Sequence, residues 1–127
     1  MVKNTRKIGD LGENIACKFL IKRNYSIICR NYRKLWGEID IVAEKDSLIH
    51  FIEVKSVGLD MSNGLDSHHP EENVDGWKIK QIRKMIETYL DENFLGLEIE
   101  FAFHVICVYL NFDKRKAKVN MIENIIL

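Results

Sequence analysis

Apolar and polar positions along the chain change period several times. Leu11, Ile15, Phe19 and Leu20 recur at helical spacing and predict a first helix from Asp10 to about Arg23. Asp10 reads as its N-cap, with Glu13 three residues on in a capping-box-like pattern, and Lys22 and Arg23 suit the negative end of the dipole. From Tyr25 to Arg33 the period falls to two, which predicts a strand. Two further strands lie within Trp36 to Val57, joined by a tight polar turn at Glu44 to Ser47. The pattern stops between Gly58 and Gly76, an acidic stretch holding the only proline, Pro70, and no Lys or Arg. Such a long loop in a compact domain is usually functional or disordered. Helical spacing resumes from Trp77 to about Asn93, with Ile79, Ile82, Ile86, Tyr89 and Leu90 as the apolar stripe. Glu98 to Leu110 and Ala117 to Ile126 complete the set as strands. The order α-β-β-β-α-β-β predicts an α/β (α+β) fold, one domain over residues 1–127, with helices flanking a central mixed sheet.

The middle hairpin brings charge together. With Asp46 and Ser47 as the central turn residues, Lys45 lies opposite Leu48 and Asp40 falls opposite Glu53. Side chains two apart on a strand share a face, so Lys55 joins Glu53 and Glu38 joins Asp40. Ile39, Ile41, Ile52 and Val54 then turn to the core. Two carboxylates this close repel unless a proton or a cation sits between them. Oxygen ligands of this kind suit Mg²⁺ or Mn²⁺. A lysine beside such an ion can hold or deprotonate an attacking water.

Composition narrows the classes. At 127 residues the chain can build one core. No apolar run approaches a membrane span, and the basic start, Met1 to Lys7, lacks the apolar region of a secretory signal. Cys17, Cys29 and Cys107 are odd in number and widely spaced, so reduced thiols in a cytoplasmic protein are expected rather than a zinc site or disulfides. Net charge is zero, which counts against a nonspecific nucleic-acid binder. Basic residues are nonetheless clustered, at Arg30, Arg33 and Lys34 and again at Lys78, Lys80, Arg83 and Lys84. Each cluster on its own reads as a solvated face. Adjacent His68 and His69 lack ligand spacing and read as solvated loop residues.

Asp40 followed by Glu53-Val54-Lys55 resembles the Asp…Glu-x-Lys signature of restriction-endonuclease-like nucleases. With Asn31-Tyr32-Arg33, Gly37-Glu38-Ile39-Asp40 and Phe51-Ile52 added, roughly residues 6–110 are similar to the YraN-like family of small bacterial proteins, related in fold to archaeal Holliday junction resolvases. The resemblance implies a restriction-endonuclease-like core. It places Glu13, from Gly9-Asp10-Leu11-Gly12-Glu13-Asn14-Ile15-Ala16, in the active site, where the residues alone read as a first-turn carboxylate. It also implies that Lys78 opens the second helix. Some related nucleases carry Gln-x-x-x-Tyr there, but the residue four after Gln81 is Met85. The family pattern Arg-Phe-Asp-Val-Val is Ala102-Phe103-His104-Val105-Ile106 here, so an acid has become His104, which on its own reads as a core histidine.

Together these readings lead to the expectation of a metal-dependent endonuclease, a phosphodiesterase acting on DNA, branched or damaged DNA included. Asp40 and Glu53 are expected to bind Mg²⁺ or Mn²⁺, with the Val54 carbonyl as a further ligand. Glu13, Asp40, Glu53 and Lys55 are the expected catalytic set, with Glu38 and Gln81 supporting them from behind. Arg33, Lys78 and Lys80 are expected along the nucleic acid, and Tyr32 is expected to pack rather than to stack on a base. DNA is the expected partner, with a homodimer left open and no membrane. The alternative is a nucleic-acid-binding module that keeps the nuclease fold and does not cleave.

Overall fold

The computed structural model describes residues 3–58, 76–95 and 97–127. The element order is α1 (Lys3–Lys22), β1 (Ser26–Lys34), β2 (Gly37–Lys45), β3 (Leu48–Gly58), α2 (Gly76–Phe94), β4 (Phe101–Asn111) and β5 (Lys116–Ile122). This is the expected α-β-β-β-α-β-β order. The five strands form one mixed sheet in the order β1-β2-β3-β4-β5. β1, β2 and β3 are an antiparallel meander, β3 and β4 run parallel, and β5 returns antiparallel.

The sheet has a core on each face. One cluster gathers Ile82, Met85, Ile86 and Tyr89 of α2 with Ile39, Val42, Phe51, Phe103 and Val105. The other gathers Ala16, Cys17 and Leu20 of α1 with Ile41, Ala43, Ile52, Ile106 and Val108. Seven consecutive residues of β4, Ala102 to Val108, are buried, as expected of a strand covered on both faces. None of the three cysteines is in a disulfide, and Cys17 and Cys107 are buried. Among the described residues no helix is long and apolar enough to cross a membrane.

Several expected boundaries move. α1 begins at Lys3, so Asp10 and Glu13 lie inside the helix and Asp10 is not its N-cap. Burial explains the extension. The apolar stripe reaches back to Ile8, which packs beside the second cluster and lies against Gly58 at the end of β3. Leu11, placed on the core stripe by spacing, is 39% exposed, and Ala16 and Cys17 are buried instead. Gly12 faces the sheet: a Cβ there would stand 1.8 Å from the Ser56 hydroxyl oxygen. β5 stops at Ile122 rather than near Ile126. Past it the Asn124 N–H donates to His104 Nδ1 at 3.0 Å, and the Ile125 N–H donates to the Phe103 carbonyl. Asn124, with φ 55°, thus shifts the register by one residue and ends the regular ladder. The Gly58–Gly76 loop, with His68 and His69, lies outside the described residues apart from its two ends.

Candidate metal centre

The β2–β3 hairpin has the expected register. Lys45 pairs with Leu48 and the ladder continues to Ile41 with Ile52. Asp46 and Ser47 both have positive φ, 54° and 66°, the geometry of a type I′ turn. The same register sets Asp40 across from Glu53, but there the ladder ends. The Val54 N–H instead donates to Asp40 Oδ2 at 2.7 Å.

Strand alternation also breaks at this point. Ile41 packs on the α1 side, with Ile52 and Val54, whereas Ile39 packs on the α2 side. The four therefore do not face one core, as simple alternation implied. Asn31 on the neighbouring strand has φ 55°, and the β1–β2 pairing passes from Arg30–Ile41 to Tyr32–Ile39 across it. A left-handed residue in a strand re-aims the side chains beyond it.

The result is a cavity of about 270 Å³ on the α2 face, lined by Glu38, Asp40, Glu53, Val54, Lys78, Gln81, Ile82 and Met85. Burial pushes the Asp40 carboxyl up to about 8, and the charge of Glu53 pushes the same way. The Val54 N–H opposes this, while a hydrogen bond with Glu53 and the charge of Glu38 add to it. Glu53 is itself 8% exposed. Two ammonium groups flank it: Lys78 Nζ lies 3.0 Å and Lys55 Nζ 3.5 Å from Glu53 Oε2. Burial works against the charge on Lys78, but Glu53, Asp40 and Glu38 outweigh it and raise its pKa. The pocket therefore favours a proton on Asp40 and sets two lysines against Glu53.

This donor set fits a hard divalent cation. Two carboxylates that hold each other's charge in check with a proton are the arrangement that a cation relieves. Among the described residues no three His, Cys, Asp or Glu side chains gather to hold a metal unaided. Mg²⁺ is commonly held by one or two carboxylates, with water and substrate oxygens completing its shell.

The matching family is described as Uncharacterised protein family UPF0102, and it covers residues 12–108. The chain belongs to the UPF0102 family. A UPF0102 protein of Campylobacter jejuni is 41% identical over 100 residues, 79% of this chain and 81% of its own length. One from Clostridium beijerinckii is 36% identical over 124 residues, 98% of this chain and 96% of its own. Another, from Caldicellulosiruptor bescii, is 32% identical over 121 residues, covering 95% and 98%.

In this UPF0102 chain the fold brings Asp40, Glu53, Lys55, Glu38, Lys78 and Gln81 to one place. Gln81 donates from Nε2 to the Trp36 carbonyl at 2.9 Å, tying α2 to the β1–β2 turn beside the pocket. Glu13 is placed differently. Its Oε1 accepts from Arg30 at 3.1 Å, and it does not line the pocket. Arg33 pairs with Glu38 at 3.3 Å and Lys80 is exposed. Tyr32 packs, as expected, edge-on against Tyr89.

Some features of the site are not visible in the spacing. Met85 is 1% exposed, lines the pocket and closes against Gly37, whose added Cβ would meet it at 2.9 Å. Gly37 within the strand pattern was the available signal for that close approach. Tyr32 and Lys34 both donate to Glu92 of α2, at 2.5 and 2.6 Å, and hold the far end of the helix against β1. His104, the residue in place of an acid, lies on β4 beside Ile52, within reach of His50 rather than of the pocket.

Proposed function

We propose that this UPF0102 protein is a metal-dependent phosphodiesterase acting on DNA, with a restriction-endonuclease-like core. The observation that carries the reading is the pairing of Asp40 and Glu53 in one pocket, with Lys78 in its wall and both Lys78 and Lys55 on Glu53. Asp40 and Glu53 would hold Mg²⁺ or Mn²⁺, with the Val54 carbonyl as a further oxygen donor. Bound there, the ion supplies a Lewis acid for a phosphoryl oxygen and lowers the pKa of an attacking water.

The chain's own residues then have distinct tasks. The Val54 N–H fixes Asp40 Oδ2 and so holds the carboxyl at the pocket. Lys55, two residues beyond Glu53 on the same strand, orients the attacking water or balances charge that develops on the phosphoryl group. Lys78, which pairs with Glu53 at 3.0 Å, would stand where a phosphate oxygen could meet it if a cation took its place on Glu53. Gln81 and Met85 hold α2 against the β1–β2 turn and so keep Lys78 at the pocket. His104 faces away from this chemistry, so the exchange of acid for histidine leaves the pocket acids intact.

Purified protein with Mg²⁺ or Mn²⁺ should cut at least one of single-stranded, duplex, flap or four-way-junction DNA, and EDTA should stop it. Binding without cutting under either metal would favour the non-catalytic module. The Lys78–Glu53 ion pair is the observation on that side, because it neutralises the pocket without a metal. Neither cutting nor binding would sink both readings.

A further inference from the structure

The turn between β1 and β2 is chemically unusual. Lys34 pairs with Gly37, which leaves Leu35 and Trp36 as its two central residues. Two-residue turns favour Gly, Asn and Asp, whose backbones tolerate the bend. Leu35 is fully exposed, and Trp36, outside both core clusters, keeps 38% of its surface in solvent. Turn chemistry does not call for this apolar tip, and Leu35 has no packing role in it.

Its surroundings are cationic and lie next to the pocket. Lys84 Nζ stands 5.3 Å from the centre of the Trp36 ring. Lys80, one turn earlier on α2, is exposed on the same side of the helix. Nearby Arg33 and Lys34 are taken up by Glu38 and Glu92. The Trp36 carbonyl accepts from Gln81, and Gln81 and Glu38 both line the pocket. An aromatic face, an exposed apolar neighbour and two lysines in a row thus stand at the rim of a buried carboxylate pair.

We propose that Leu35 and Trp36 form a stacking wedge for an unpaired nucleotide, with Lys80 and Lys84 on its phosphates. The inference rests on the nuclease reading for its choice of DNA and adds the substrate class: a strand end, gap or fork where a base is free to leave the stack. Aromatic stacking accepts any base because every base has a π-face, and lysines alongside follow the backbone. A long blunt duplex offers the lysines its phosphates along its whole length and exposes a base face to Trp36 only at its two terminal pairs.

The test is a binding measurement in EDTA, where no cutting occurs, using labelled oligothymidine, a blunt duplex and a forked duplex. Trp36→Ala should weaken oligothymidine and fork binding by about tenfold, the order of one lost base stack, and blunt-duplex binding by less than about twofold. Trp36→Phe should restore most of the loss. The Gln81 bond goes to the Trp36 backbone and survives both changes, and an unchanged melting temperature verifies the fold. In a Trp77→Phe background, oligothymidine should also quench the remaining tryptophan fluorescence. Unchanged fork binding in Trp36→Ala, an equal loss on fork and blunt duplex, or no binding of any probe would overturn the wedge. So would a shift in sedimentation of Trp36→Ala, which would assign the tip to contact between copies. Cleavage that persists while the wedge fails leaves the pocket reading standing, and wedge binding without cleavage under any metal does the reverse.

Discussion

His104 Nε2 lies 2.8 Å from His50 Nδ1, and both rings are buried. The partners set the tautomers. The Asn124 N–H donates to His104 Nδ1, so the proton of a neutral His104 sits on Nε2 and points at His50. His50 Nδ1 then accepts, and its Nε2 faces the Lys45 carbonyl at 3.4 Å. Burial first, and the neighbouring His50 second, lower the pKa of His104 from 6.5 to about 4. Burial is also the main cause of the lowered pKa of His50.

The first prediction follows from these shifts. Between pH 6.5 and 4 the unfolded chain binds more protons at His104 than the folded one, so its contribution is full above pH 6.5 and is lost as pH falls towards 4. Asp40 acts in the opposite sense: its raised value means the folded form holds the proton longer, so acidification from pH 8 favours folding there. Asp40→Asn removes that second effect. This variant should lose about 2 kcal/mol between pH 7.5 and 5, seen as a fall in melting temperature, while the wild type stays flatter. A flat profile in Asp40→Asn would show that the histidine pair carries no pH dependence.

A second prediction concerns the pocket acids. A divalent cation must displace the Asp40 proton, so Mn²⁺ affinity should rise with pH up to about 8 and level off above it. Calorimetry in buffers of different ionisation enthalpy should register about one proton released at pH 7. Asp40→Asn should weaken binding at least about tenfold and remove the proton release. Equal Mn²⁺ affinity in wild type and variant would rule the pocket out as a metal site.

Lys78 competes for the same oxygen. Its Nζ sits 3.0 Å from Glu53 Oε2, so Lys78→Met should tighten Mn²⁺ binding by several-fold. The same change should weaken DNA binding and flatten its salt dependence by about one counterion. Unaltered metal affinity would mean that Lys78 and the cation occupy different positions.

Lys55→Met addresses chemistry rather than binding. Cleavage should slow by roughly a hundredfold or more, with metal affinity and DNA affinity changing far less. Loss of DNA binding with unchanged single-turnover cleavage would make Lys55 a phosphate anchor.

The close approach at Gly12 makes a stability prediction. A Cβ there would stand 2.8 Å from Ser56 Cβ as well as 1.8 Å from its oxygen, so rotating the hydroxyl cannot relieve the clash. Gly12→Ala should cost about 1–3 kcal/mol, despite the gain in helix propensity. A melting temperature at or above the wild type would show that α1 can lift from β3 freely.

The carboxylate pair was legible because it depends on a local object. Asp46 and Ser47 specify a two-residue turn, and counting back from it reaches Asp40 and Glu53. Lys78 on Glu53 was only half legible. Its place at the start of α2 can be read, but contact with β3 depends on how the helix lies across the sheet. The His50–His104 bond was hidden for the same reason, since the parallel pairing of Ile52 with His104 joins segments far apart in sequence. The start of α1 was misread because Asp10 and Glu13 imitate a capping signal, while the deciding contact, Ile8 on Gly58, is tertiary. Glu13 illustrates the limit of motif matching: the motif names the residue, but its side chain meets Arg30.

One bond described above also supplies a reporter. The Val54 N–H is donated to a side chain at a point where a sheet would ordinarily use it, and its acceptor is a candidate cation ligand. Its proton and nitrogen resonances should therefore respond to whatever occupies Asp40, proton or ion, ahead of any movement of the strands. Its hydrogen-exchange rate measures something else, the opening that frees the carboxylate from the backbone. A single amide can thus follow site occupancy and local opening separately, with no label or substrate added.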